Sequence, residues 1–134
     1  MEVLTAVPRI LVVDDEPDLL SEIVAYLSRR NQPVLGAGSV AEARRLFASH
    51  RGTLDLMLSD VRMPDGNGIE LVRSVLRETA GTCRCLLVTG HFEHAELDPE
   101  LRKAGVEIIY KPFSFSQLYA RVTANLADRV EKAQ

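Results

Sequence analysis

The sequence predicts an α/β fold: a doubly wound, five-stranded parallel sheet with five helices on its two faces. Three observations lead there. Short apolar runs recur at intervals of about 20 to 25 residues. Patterns of helical period fill the gaps between them. Several runs show no polar alternation, the mark of strands covered on both faces. Strand alternating with helix implies crossovers in one parallel sheet.

The five strands are "RILVV" (9–13), "PVLGA" (33–37), "DLMLS" (55–59), "CLLV" (85–88) and "VEIIY" (106–110), the last read as a buried strand. In the first gap Leu19, Leu20, Ile23, Val24 and Leu27 recur at helical spacing, and Pro17 suits the first helical position. In the second, Ala43, Leu46 and Phe47 follow Ser39 and Glu42, a capping box. In the third, Ile69, Val72, Val75 and Leu76 follow Asn67, with Glu70 placed to complete a similar box. The fourth gap contains Asp98-Pro99. Proline inside a helix costs about 3 kcal/mol but suits a first turn. A short helix near 99–104 is therefore expected, capped by Asp98, after an irregular 90–97. The last helix carries Leu118, Val122 and Leu126 and opens on a box of Ser114 and Gln117.

A chain of 134 residues suits one domain with its own core. Residues 1–8 read as an N-terminal tail, 9–127 as the domain and 128–134 as the polar end of the last helix. The composition, 46% apolar and 26% charged, is that of an ordinary soluble protein. A net charge of −3 gives no reason to expect direct nucleic-acid or membrane-surface binding. No apolar run approaches the roughly 20 residues of a membrane span. The start "MEVLTAVPRI" lacks a signal-peptide pattern, so a cytoplasmic location is expected. Cys83 and Cys85 read as reduced thiols.

In an open parallel sheet, ligands bind beyond the carboxyl ends of the strands. Asp14, Asp15 and Glu16 follow the first strand, Asp60 the third, Thr89 and Gly90 the fourth, and Lys111-Pro112 the fifth. Taken singly, each is an ordinary cap or turn residue. Together they put three carboxylates side by side, where like charges repel and raise one another's proton affinity. Such a group calls for a cation, and hard oxygen donors with room for water suit Mg²⁺. A hydroxyl and an ammonium opposite them suit an anionic oxygen. The set can hold a phosphoryl group, whose transfer depends on positioning and charge neutralisation. Asp60, on the central strand, is the best placed nucleophile for an acyl phosphate.

The motifs "VVDDE", "LSDVRMPDGNGIEL", "LLVTG" and "YKPF", in this order, resemble the receiver domain of two-component response regulators, chemotaxis regulators among them. The resemblance runs from about Arg9 to Ala127. It implies the flavodoxin-like strand order 2-1-3-4-5, with Asp60 taking phosphate from a phosphohistidine on a sensor histidine kinase or phosphotransfer protein. Asp14, Asp15, Asp60 and the backbone carbonyl of Arg62 would hold Mg²⁺, with Asp14 acting largely through water. Thr89 and Lys111 would contact the phosphoryl oxygens, and Lys111-Pro112 would be a cis peptide. The chain would not be an enzyme beyond its own phosphorylation and dephosphorylation. The signal would emerge on the surface of the fourth helix, fifth strand and fifth helix, toward a downstream output protein or domain. A homodimer through that surface would need further exposed apolar groups. No output segment follows residue 127, so the chain reads as a stand-alone receiver or the receiver of a longer regulator.

Some positions depart from the family's pattern. Ile108 stands where a switch tyrosine or phenylalanine is usual, and Tyr110 lies two residues later. Tyr110 is either a packing residue or a partial replacement for the missing ring. Arg62 and His91, two residues past Asp60 and Thr89, occupy positions that tune the lifetime of the acyl phosphate. Rival readings are a phosphorelay intermediate and a phosphorylation-independent interaction module on the same fold. A haloacid-dehalogenase-type phosphatase would need a second aspartate where Arg62 stands, and a flavin binder a phosphate loop where "DDEP" stands.

Overall fold

A computed structural model describes residues 7–90 and 98–133 of the chain. Its main sheet has five strands: β1 (Ile10–Val13), β2 (Val34–Ala37), β3 (Leu56–Asp60), β4 (Arg84–Thr89) and β5 (Glu107–Tyr110). Their order is β2-β1-β3-β4-β5, and every neighbouring pair is parallel. The helices are α1 (Pro17–Ser28), α2 (Val40–Ser49), α3 (Gly68–Thr79), α4 (Pro99–Lys103) and α5 (Phe115–Ala133). A two-stranded antiparallel ribbon, Arg62–Met63 against Gly66–Asn67, lies between β3 and α3.

The absence of polar alternation in the strands follows from the layers. Successive side chains of a strand point to opposite faces. Leu11, Val13, Met57, Cys85 and Leu87 join Phe47, Leu71 and Val75 of α2 and α3 in one core. Ile10, Val12, Leu56, Leu58, Leu86 and Val88 join Ile23, Leu27, Leu118 and Val122 of α1 and α5 in the other. Both faces need apolar residues, so the runs are continuous. The fifth run departs from the expected buried strand. Residues of β5 are half-buried, and Tyr110 is exposed, because β5 is an edge strand. Cys83 and Cys85 are buried free thiols.

A capping box closes at Ser114, while at Ser39 the return bond shifts one residue, to Gly38. Ser39 accepts the Glu42 N–H while Glu42 accepts that of Gly38. At Ser114 the box is complete: Ser114 Oγ accepts the Gln117 N–H and Gln117 Oε1 accepts the Ser114 N–H. Asn67 caps α3 by accepting the Ile69 N–H at 2.7 Å, but Glu70 pairs with Arg73 one turn on.

The short fourth helix begins at Pro99, as expected; the segment 91–97 lies outside the described residues. Asp98 accepts the N–H groups of Glu100 (3.0 Å) and Leu101 (3.1 Å), while Arg73 of α3 donates to its other oxygen. Arg77 adds a two-pronged bond to Glu100 at 2.9 and 2.8 Å. Only Leu101 of this helix is buried, so the clamp to α3 matters to its docking.

Burial pushes the Asp98 carboxyl up, but the Leu101 N–H, the Arg73 guanidinium and the Glu100 N–H together hold it below the usual range. A carboxyl depressed on folding stabilises the folded state above its unfolded value, about 3.9. That stabilisation disappears as pH falls from there through the lower folded value. Asparagine caps as well as aspartate but carries no charge. Asp98→Asn is thus expected to cost about 2 kcal/mol at neutral pH. In urea unfolding, its difference from wild type should shrink as pH falls below about 4. A difference independent of pH would show that the Arg73 charge pair contributes nothing.

Candidate functional site

The sheet order brings β1, β3, β4 and β5 side by side, so residues at their carboxyl ends meet. Asp14 and Asp15 follow β1, Asp60 ends β3, Thr89 ends β4 and Lys111 follows β5. Backbone bonds fix these ends: Asp14 N–H to the Ala37 carbonyl at 3.0 Å, Val61 N–H to that of Val88 at 3.2 Å, and Lys111 N–H to that of Thr89 at 2.7 Å. The Lys111–Pro112 peptide is cis.

One ligand oxygen from each of Asp14, Asp15 and Asp60 lies within 4.8 Å of the other two. Asp14 and Asp60 are buried and Asp15 is half-buried. The Lys111 ammonium donates to Asp60 Oδ2 at 3.0 Å, Asp14 Oδ2 at 3.4 Å and Glu16 Oε1 at 3.4 Å. Asp14 Oδ1 accepts the Glu16 N–H at 2.8 Å. Burial raises the Asp14 carboxyl above its usual range, and the Asp60 charge adds to this; the Glu16 N–H and Lys111 offset it in part. Burial works against the Lys111 ammonium. Its bond to Asp60 and the charges of Asp60, Asp14 and Glu16 outweigh that and hold its pKa above the usual value.

Asp15, Glu16 and Asp60 face a cavity of about 260 Å³, lined also by Arg62, Thr89 and Lys111. The donor set fits Mg²⁺. All the donors are hard oxygens, and the cavity leaves room for water. Thr89 is buried at the cavity wall, and the exposed Arg62 lies at its rim.

Sequence reasoning named Asp14, Asp15, Asp60, Arg62, Thr89 and Lys111, and the fold gathers them. His91 lies outside the described residues. Ile108 sits beside Leu87 in the register, half-buried against the core under α2 and α3. Tyr110 shares its face, sits beside Thr89 and is 39% exposed. Two further groups were not assigned from sequence. Glu16 reaches Lys111, which its place in the acidic run hinted at. Asp65 binds the start of α2, for which local sequence carries no signal.

The family model of the response regulator receiver domain matches residues 10–123. The transcriptional regulatory protein AruR of Pseudomonas aeruginosa is 33% identical, over 96% of this chain and 52% of its own length. The DNA-binding response regulator MtrA of Mycolicibacterium smegmatis is 34% identical, over 88% of this chain and 50% of its own. The chain thus spans about half the length of these two relatives. Among solved structures, a receiver domain protein from Clostridium thermocellum superposes with a TM-score of 0.82 at 26% identity, covering 95% of this chain and 99% of that one. The response regulator TrrA from Thermotoga maritima, solved with Mg²⁺ and BeF, gives 0.73 at 30% identity, covering 88% and 98%. Among the described residues, no helix is long and apolar enough to cross a membrane.

Proposed function

The chain belongs to the response regulator receiver domain family, with the Asp14, Asp15 and Asp60 cluster typical of that family's phosphoacceptor and Mg²⁺ site, and on that premise we propose that Asp60 is the phosphoacceptor. The donor would be a phosphohistidine of a sensor histidine kinase or phosphotransfer protein. The observation that carries this reading is the Lys111 ammonium on the buried Asp60 at 3.0 Å, beside the buried Asp14 and the half-buried Asp15.

In the proposed reaction an Asp60 carboxylate oxygen attacks phosphorus. The bond from phosphorus to the imidazole nitrogen breaks, its electron pair returns to the ring, and an acyl phosphate forms on Asp60. Asp14, Asp15, Asp60 and the Arg62 carbonyl would hold Mg²⁺, which when bound supplies positive charge to the phosphoryl oxygens. Lys111 already contacts the nucleophile, so a small displacement carries its charge to a new phosphoryl oxygen. The Thr89 hydroxyl would donate to another. Arg62, at the cavity rim, would shield the acyl phosphate and slow its hydrolysis.

Thr89 and Lys111 belong to the β4 and β5 side of the sheet. Their displacement would bias the surface of α4, β5 and α5 between two states, toward an output protein or domain or a homodimer partner. Ile108 cannot supply the usual ring movement. Tyr110, beside Thr89, either packs the strand end or takes over part of that role. Residues 9–127 would form the receiver unit.

The chain incubated with Mg²⁺ and a small acyl-phosphate donor is expected to gain the mass of one phosphoryl group. Excess EDTA is expected to suppress that gain. Folded protein that stays unmodified with Mg²⁺ present would refute the reading.

A further inference from the structure

Three of the four proposed Mg²⁺ ligands stand on or directly after strands β1 and β3, where the sheet fixes them. The fourth, the Arg62 carbonyl, sits in the ribbon between β3 and α3 and needs another anchor. Ligand positions depend on such supporting bonds.

Asp65, at the tip of this ribbon, supplies hydrogen bonds to a neighbouring element. Its carboxylate accepts the N–H groups of Val40 at 2.9 Å and Ala41 at 3.0 Å, the first two residues of α2. A helix's first turn leaves these donors without internal partners. Ser39 takes the next one, from Glu42, at 3.0 Å. The first turn of α2 is therefore completed by a side chain more than 20 residues away in sequence. The Val40 and Ala41 N–H groups hold the Asp65 carboxyl below its usual range.

The same bonds hold the ribbon. Arg62 pairs with Asn67 and Met63 with Gly66, so the ribbon is a tight unit with Asp65 in its turn. Met63 is buried in the core and Asn67 caps α3. Gly66 lies against Val40 so closely that a Cβ there would sit 3.1 Å from Val40 Cγ2. Asp65 adds to that apolar contact a directional tie between ribbon and helix.

Resting on the proposal that the Arg62 carbonyl is a ligand, we infer that Asp65 is a positioning residue for the Mg²⁺ site. It fastens to α2 the ribbon carrying that carbonyl, and so fixes the loop-borne ligand relative to the three carboxylates.

The test is calorimetric titration of Mg²⁺ into the full chain as wild type, Asp65→Ala, Asp65→Asn and Ser39→Ala. Asp65→Ala is expected to raise the Mg²⁺ Kd about tenfold. Asp65→Asn, whose single amide oxygen keeps one of the two bonds, is expected to raise it less. Ser39→Ala removes a cap from α2 without touching the ribbon, and is expected to leave Kd within about twofold of wild type. At saturating Mg²⁺ the phosphorylation rate of Asp65→Ala should return close to wild type, because Asp60, Thr89 and Lys111 remain. Wild-type Mg²⁺ affinity in Asp65→Ala overturns the inference. So does an equal loss in Ser39→Ala, which would trace the effect to the stability of α2. If Asp65→Ala does not fold, Asp65→Asn against Ser39→Ala decides in the same way. A wild-type chain that binds Mg²⁺ but takes no phosphoryl group on Asp60 defeats the proposed function and leaves the Asp65 comparison intact. A wild-type chain that binds no Mg²⁺ defeats both.

Discussion

Asp60→Asn is expected to abolish phosphoryl uptake while leaving the chain folded. Asparagine has nearly the same shape, but its amide lacks the anionic oxygen that attacks phosphorus. It also removes one charge from a group of three carboxylates, relieving the repulsion that burial makes costly. Lys111 loses the charge of its 3.0 Å partner but keeps the carboxylates of Asp14 and Glu16, each at 3.4 Å. The ammonium therefore stays paired, and a collapse of the site is not expected. Intact-mass measurement after incubation with Mg²⁺ and an acyl-phosphate donor should show one added phosphoryl group in wild type and none in the variant. Circular dichroism should match between the two. A gain of similar size in Asp60→Asn would assign the acceptor to another residue.

Gly68→Ala is expected to be among the most destabilising single substitutions in the chain. Helix propensity alone favours it, since alanine in place of glycine gains about 1 kcal/mol within a helix. The packing reverses that sign. A Cβ at Gly68 would lie 2.0 Å from the Asp60 carbonyl oxygen, 2.9 Å from its carbon and 3.0 Å from Ser59 Oγ. The obstacle is backbone of the central strand, which cannot rotate aside as a side chain can. The Gly68 N–H also donates to the Val61 carbonyl at 2.7 Å, fixing this close approach. Either α3 or the end of β3 must move, at a cost of about 3 kcal/mol or more. That is a large share of the 5–15 kcal/mol typical of a domain. The melting temperature should fall by about 10 °C or more. Phosphoryl uptake should fall with it, because the displaced backbone belongs to Asp60. An unchanged or raised melting temperature would mean that propensity wins and the contact is relieved cheaply.

The strands of the central sheet were legible because burial on both faces writes continuous apolar runs into the sequence. Helix starts were legible where the caps are local, as at Ser39, Ser114 and Asp98. The strand-end carboxylates, Thr89 and Lys111 were legible because their spacing repeats with the β-α unit. Side-chain contacts between elements distant in sequence were not. Asp65 reaches α2 across 25 residues, and Arg73 reaches Asp98 across the same distance. An arginine on a helix face or an aspartate in a polar turn looks the same whether or not it has such a partner. The partial exposure of β5 is not written in its own residues, since "VEIIY" reads as a buried run; only the strand order implied by the family resemblance places it at an edge. Glu70 was misjudged for a related reason: the cap geometry allowed it a role that Arg73 takes away.

The bond between Lys111 and Asp14 spans 97 residues. A chain emerging from the ribosome makes its acidic residues early and their resident cation late. Until the segment carrying Lys111 has emerged and β5 has joined β4, Asp14 and Asp60 lack the charge that makes their burial tolerable. The last strand therefore both closes the sheet and admits the acidic cluster to the interior. A fragment halted before it carries an exposed, mutually repelling acidic end. On the proposed function, competence to accept a phosphoryl group would therefore wait until the segment carrying Lys111 has joined the sheet.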